Sequence, residues 1–249
     1  MRTWISALIA LLLLCGTALA DEVYISDQGA PHVGYCQDNG LIGGTTNGVY
    51  NYGAATDIAS GQGPSSANAW RTPIFRFGLS SVPSGSDVTA VTFGFRVTGV
   101  TGSGVTVEAY QIEAANDGWV EGTANGATQV GSSCNDDHTY QNQVEWTNGA
   151  QWFNPGNYIN TLFGTADCTT TGAKTISFNA SGVAAVEAAI ADGDFEVCLI
   201  GNFVTYNNRS VMASSENATT AYRPYLYVVY TPPVGAAVSQ VISVTFDDF

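Results

Sequence analysis

Hard oxygen donors cluster at two places in this chain. Asn135, Asp136 and Asp137 stand in a row, and Asp38 opens an Asp-Asn-Gly turn. Turns leave backbone carbonyls free beside such side chains, and an all-oxygen donor set is the ligand chemistry of calcium. Calcium is the one cofactor these residues suggest, although Asx-rich turns also serve as plain solvated loops. A further acidic stretch, Asp192-Gly193-Asp194, reads mainly as a helix stop.

The second chemistry is aromatic. Tyr140, Trp146, Trp152, Phe153 and Tyr158 fall in a polar stretch. Flat rings stack on the C–H faces of sugars while neighbouring Asn and Asp side chains accept hydroxyls. Trp152 leads the ligand-binding candidates, followed by Trp146, Tyr140 and Tyr158; rings in loops also form satellite core. Catalytic groups are harder to find. The two histidines, His32 and His138, lie in polar segments, and no H-E-x-x-H, G-x-S-x-G or Walker loop occurs. Carboxylates for glycosidic cleavage could be drawn from Glu108, Glu121, Glu145 or Glu216, but 21 Asp plus Glu make such pairs commonplace. No catalytic residue is assigned.

These groups must be carried by an exported body. Residues 1–20 join a cation at Arg2, an apolar run and an Ala18-Leu19-Ala20 cleavage site, which is the pattern of a secretory signal peptide. The product is expected to be secreted or held at the cell surface, with no membrane insertion after cleavage. Seven Lys plus Arg against the 21 acids give a net charge of −14, a field that repels nucleic acid and anionic lipid. Export and an even set of cysteines, Cys36, Cys134, Cys168 and Cys198, imply two disulfides with three pairings open. Cys134–Cys168 is favoured because it would staple a long polar excursion over 122–173, leaving Cys36–Cys198.

The positioning elements read as short strands. V-T-F-G-F-R-V alternates Val91, Phe93, Phe95 and Val97 against Thr92, Gly94 and Arg96, and similar runs recur between Gly, Asn, Ser and Pro turns. One helix is expected over about 182–191, with Val183, Val186 and Ile190 at helical spacing and Gly193 as the stop. The fold class is all-β: an antiparallel β-sandwich or jelly roll with one short helix. Domain organisation follows as signal peptide 1–20, a β-sandwich over 21–231, and a tail or extra strand over 232–249.

Several short motifs occur in a fixed order: N-Y-G at 51–53, T-P-I-F-R-F-G-L-S-S-V-P from Thr72, and D-G-W-V-E-G at 117–122. A helix and strand follow, then S-S-E at 214–216 and R-P-Y-L-Y-V-V-Y from Arg223. In that order they resemble the DNRLRE domain family, which overlaps carbohydrate-binding modules and disaggregatase-related proteins. The resemblance spans about residues 22–231 and implies a secreted or surface β jelly roll, glycan binding in some members, and structural roles for Arg76, Trp119, Glu121, Glu216 and Arg223. Gly78 stands where the family usually has Asp. Glu121 and Glu216 are expected to take the guanidinium forks of Arg76 and Arg223.

Three functions follow. The leading one is a non-catalytic module that binds extracellular polysaccharide or a surface glycan, or mediates adhesion. The alternative is a structural subunit of an extracellular filament or coat, self-assembling when residues 232–249 add a strand to a neighbour's sheet. A polysaccharide lyase or hydrolase ranks last.

Overall fold

The computed structural model describes residues 19–42, 50–63, 70–112, 116–128, 138–140, 144–145, 161–201 and 207–234. The alternating runs are strands. In the first half these are β1 (Asp21–Ile25), β2 (Cys36–Ile42), β3 (Tyr50–Asn51), β4 (Asp57–Gln62), β5 (Trp70–Gly78), β6 (Asp87–Thr101) and β7 (Thr106–Gln111). The polar excursion contributes β8 (Ala127–Thr128), β9 (His138–Tyr140), β10 (Val144–Glu145) and β11 (Leu162–Asp167). Then come β12 (Gly172–Ser177), helix α1 (Ala180–Ala189), β13 (Asp194–Gly201), β14 (Arg209–Ala213) and β15 (Tyr225–Thr231).

Eleven strands form one antiparallel sheet ordered β1-β15-β6-β14-β4-β5-β13-β7-β11, with β12 added on β6 and β2 on β5. The sheet curls strongly into a half-barrel, so its inner face closes over one apolar core. The 15-residue β6 pairs with β15 and β14 along one edge and β12 along the other. Val91, Phe93, Phe95 and Val97 are all buried, as the period-two pattern requires. From β6, Phe93 meets Phe75 and Phe77 of β5 edge-on, with centroids 5.0 and 5.5 Å apart; each such pair adds about 0.5–1.5 kcal/mol to the burial of its rings.

Helix α1 begins two residues before the expected start because Asn179 caps it, its side chain accepting from the Gly182 N–H at 3.0 Å. It ends at Ala189, two residues before the expected end, and Gly193, at φ +90°, closes the turn beyond it by donating its N–H to the Ala189 carbonyl. Among the described residues no helix is long and apolar enough to cross a membrane.

The cysteine expectation is corrected. Cys36, Cys168 and Cys198 are buried free thiols; Cys134 lies outside the described residues. β2 and β13 flank β5 on opposite sides, pairing Cys36 with Phe77 and Cys198 with Ile74. Two strand spacings, roughly 9–10 Å, and a three-residue offset along β5 separate them, beyond the reach of a disulfide. Cys168, already a free thiol, does not make the favoured bridge either.

Candidate functional site

The expected arginine partners are also corrected. Arg76 donates to Glu196 at 2.6 Å, its directly opposed residue across β5 and β13. Its guanidinium also donates to the Asp117 carbonyl and lies 4.6 Å above the Trp119 ring. Arg223 pairs with Asp27 at 2.7 Å. Each guanidinium does meet a carboxylate, but through a single carboxylate oxygen rather than a two-oxygen fork, and the carboxylates are others. Glu121 and Glu216 are therefore left with no ion pair among the described residues, and they turn toward Asp38.

Three sequence motifs build that meeting point. Asp38 lies in β2 opposite Phe75, on a face turned toward the core, and is wholly buried. Its backbone N–H donates to Glu121 Oε1 at 2.7 Å. The Glu121 carbonyl accepts from the side-chain amides of Asn39 at 3.1 Å and Asn51 at 2.5 Å. Asn51 Oδ1 in turn accepts from the Gly53 and Ala124 N–H groups. Gly53 has to be glycine, since a Cβ there would stand 2.2 Å from the Glu121 carbonyl oxygen. From the third side, the turn after β14 brings Ser215, whose N–H donates to Asp38 Oδ2 at 2.5 Å and whose hydroxyl lies 2.9 Å from both Glu216 carboxylate oxygens.

Asp38, Glu121 and Glu216 thus each place a carboxylate oxygen within 4.8 Å of the others. Burial pushes the Asp38 carboxyl well above its usual range, and the Glu216 charge adds to that against the opposing Ser215 N–H. Burial pushes Glu121 up to about 7 and raises Glu216 as well. Three acids this close cannot all ionise without a cation or a shared proton. Asp38 Oδ1 is buried with no hydrogen-bond partner, which leaves one oxygen of this carboxylate open to a ligand. Calcium–oxygen distances near 2.4 Å put opposed ligands about 4.8 Å apart, so one calcium ion could reach all three carboxylates. Magnesium's shorter, strictly octahedral bonds suit that spread less, and among the described residues the grouped ligands are all carboxylates, without zinc's usual nitrogen and sulfur donors. The complete burial of Asp38 leaves no room for a substrate on it, so the arrangement suits a structural ion rather than acid–base work on a sugar.

A second feature lies on the outer face. Tyr24 of β1 opposes Tyr227 of β15 with ring centroids 4.6 Å apart. Tyr225 and His32 extend the group at 5.2–5.8 Å. All four rings are half-buried. Tyr225 lies over Gly94 of β6, where any Cβ would come within 2.1 Å of its ring. Nearby on the same strand, Arg96 stacks 4.0 Å above Tyr222.

Of the residues singled out in the sequence, Asp38, Glu121 and Glu216 come together, while the half-buried Arg76 stacks over the buried Trp119. Asn135, Asp136, Asp137, Trp146, Trp152 and Tyr158 lie outside the described residues, and Tyr140 is placed in β9 by its backbone alone. The carboxylate cluster escapes sequence reading because Asp38 and Glu121 are 83 positions apart. The tyrosine patch had a signal, since Tyr225 and Tyr227 sit at outward positions of an alternating strand. The chain matches no protein-family model, and no curated protein matches it.

Proposed function

We propose that the chain is a secreted or cell-surface, non-catalytic β module that binds polysaccharide or mediates adhesion, with a buried calcium ion bracing its loops. The observation that carries the binding reading is the outward group Tyr24, His32, Tyr225 and Tyr227. Contiguous rings left half-open to solvent offer apolar area to sugar C–H faces, while the Tyr227 hydroxyl donates to Glu22 at 2.5 Å. A resemblance to the DNRLRE family supports the same reading. The test is affinity electrophoresis in gels cast with a panel of polysaccharides. Retardation that is lost in the Tyr225→Ala/Tyr227→Ala double variant supports it; a parental protein that no polysaccharide retards, or a double variant retarded equally, overturns it.

A second reading, assembly into a filament or coat, is favoured by the position of β1 at the end of the sheet order. Its open edge is short, because Val33 already bridges Ile25 and donates to the Tyr24 carbonyl. Size chromatography with and without residues 232–249 separates the readings: polymers that need the tail favour assembly.

A further inference from the structure

A pocket over β14, β4 and β5 pairs two of the chain's few cations. Arg209 of β14 and Arg71 of β5 are both in register with Gly61 of β4, one on each side. Residues paired across neighbouring strands share a face, so the two guanidiniums flank a position that carries no side chain. Gly61 is fixed there twice over: its φ is +116°, and a Cβ would stand 2.4 Å from the Asn208 carbonyl oxygen. The result is a cavity of about 150 Å³ lined by Gly40, Tyr52, Asp57, Ala59, Arg71 and Arg209, among others.

The polar inventory of this cavity is unbalanced. Arg71 Nε and Arg209 Nη1 are buried N–H donors with no hydrogen-bond partner. Neither arginine makes an ion pair among the described residues, whereas Arg76 and Arg223 each have a carboxylate. Asp57 lines the cavity, but its two oxygens accept from Thr98 at 2.7 Å and Thr56 at 3.3 Å. Burial, and after it the neighbouring Arg209 charge, lower the Arg71 pKa. In a chain of net charge −14, two adjacent guanidiniums with no ion pair among the described residues need a reason.

We propose that Arg71 and Arg209 form a subsite for a single oxyanion, a carboxylate or sulfate, held between their forks beside Tyr52. Planar guanidiniums match such groups bidentately. A compact pocket, rather than a broad basic surface, lets an acidic protein accept one anionic group without attracting a polyanion. The subsite rests on the polysaccharide reading only for the source of the oxyanion, a charged sugar rather than a free ion.

The test is isothermal titration of the purified protein with sodium sulfate, glucose 6-sulfate, glucuronate and glucose at matched ionic strength. Binding of the charged probes but not of glucose is expected, with Arg71→Gln and Arg209→Gln each weakening it by about tenfold or more. Arg96→Gln, remote in the register, should leave it unchanged. Arg209→Lys keeps the charge without the fork and should weaken binding less, provided its melting matches the parental protein. Sugar-borne anions binding more tightly than sulfate support the charged-sugar source. Arginine-dependent binding of sulfate as tight as or tighter than that of the sugar-borne anions keeps the pocket but assigns it to a free ion, leaving the tyrosine patch as the separate test of polysaccharide binding. Charged probes that do not bind, or that bind equally to the Gln variants, overturn the subsite.

Discussion

Asp38 donates its backbone N–H to the carboxylate of Glu121 while its own carboxylate stays within reach of that same side chain. Two acids thus hold each other in place with no basic residue between them. The backbone bond fixes Glu121 against β2, and the Ser215 turn closes the third side with Glu216. An arrangement that costs this much as bare charge is stabilised as soon as a cation enters.

Removing one acid separates cost from benefit. Asp38→Asn should melt higher than the parental protein in EDTA, because it relieves buried like-charge repulsion. It should also lose all of the stabilisation that calcium gives the parental chain. Thermal melts with and without calcium check both halves.

The pH dependence of the metal-free protein follows from Glu121. Its carboxyl sits at about 7 in the fold, against 4.5 as its ordinary value. Between those values the folded state holds the proton more tightly than the unfolded one, so stability falls as pH rises from about 4.5 through 7. Urea melts in EDTA should therefore weaken from pH 5 to pH 8, and saturating calcium should flatten or reverse that trend.

Arg76→Ala leaves Glu196 buried and unpaired. That is expected to cost about 3–5 kcal/mol, while the paired change Arg76→Met/Glu196→Leu recovers most of it. Denaturant melts of the three proteins measure the difference.

Gly53→Ala forces the Glu121 carbonyl away from its 2.2 Å approach. A loss of about 1–3 kcal/mol is expected, together with a weaker response to calcium. Gly94→Ala tests the other face: it displaces the Tyr225 ring and should reduce polysaccharide retardation with little change in calcium response.

Much of the fold was legible because one face of each strand is buried. The alternation of β6 placed Val91, Phe93, Phe95 and Val97 correctly, and Gly193 marked the helix stop. What escaped was pairing across the sheet. Glu196 is the partner of Arg76 only because β13 lies beside β5, and no spacing along the chain encodes that neighbour. The cysteines misled for a related reason: export and an even count argue for bridges, but Cys36 and Cys198 sit two strands apart. The ordered motifs N-Y-G, W-V-E-G and S-S-E were visible as words, yet their meeting around Asp38 emerges only when the sheet curls.

The most direct test of the proposed calcium centre is a thermal melt of EDTA-treated protein titrated with calcium, with magnesium as the comparison. At calcium a hundredfold above its dissociation constant, stabilisation of about 2.7 kcal/mol is expected, a rise of about 5–10 °C in Tm that magnesium does not match. A melting curve unmoved by calcium, or an equal shift in Asp38→Asn, would contradict the account.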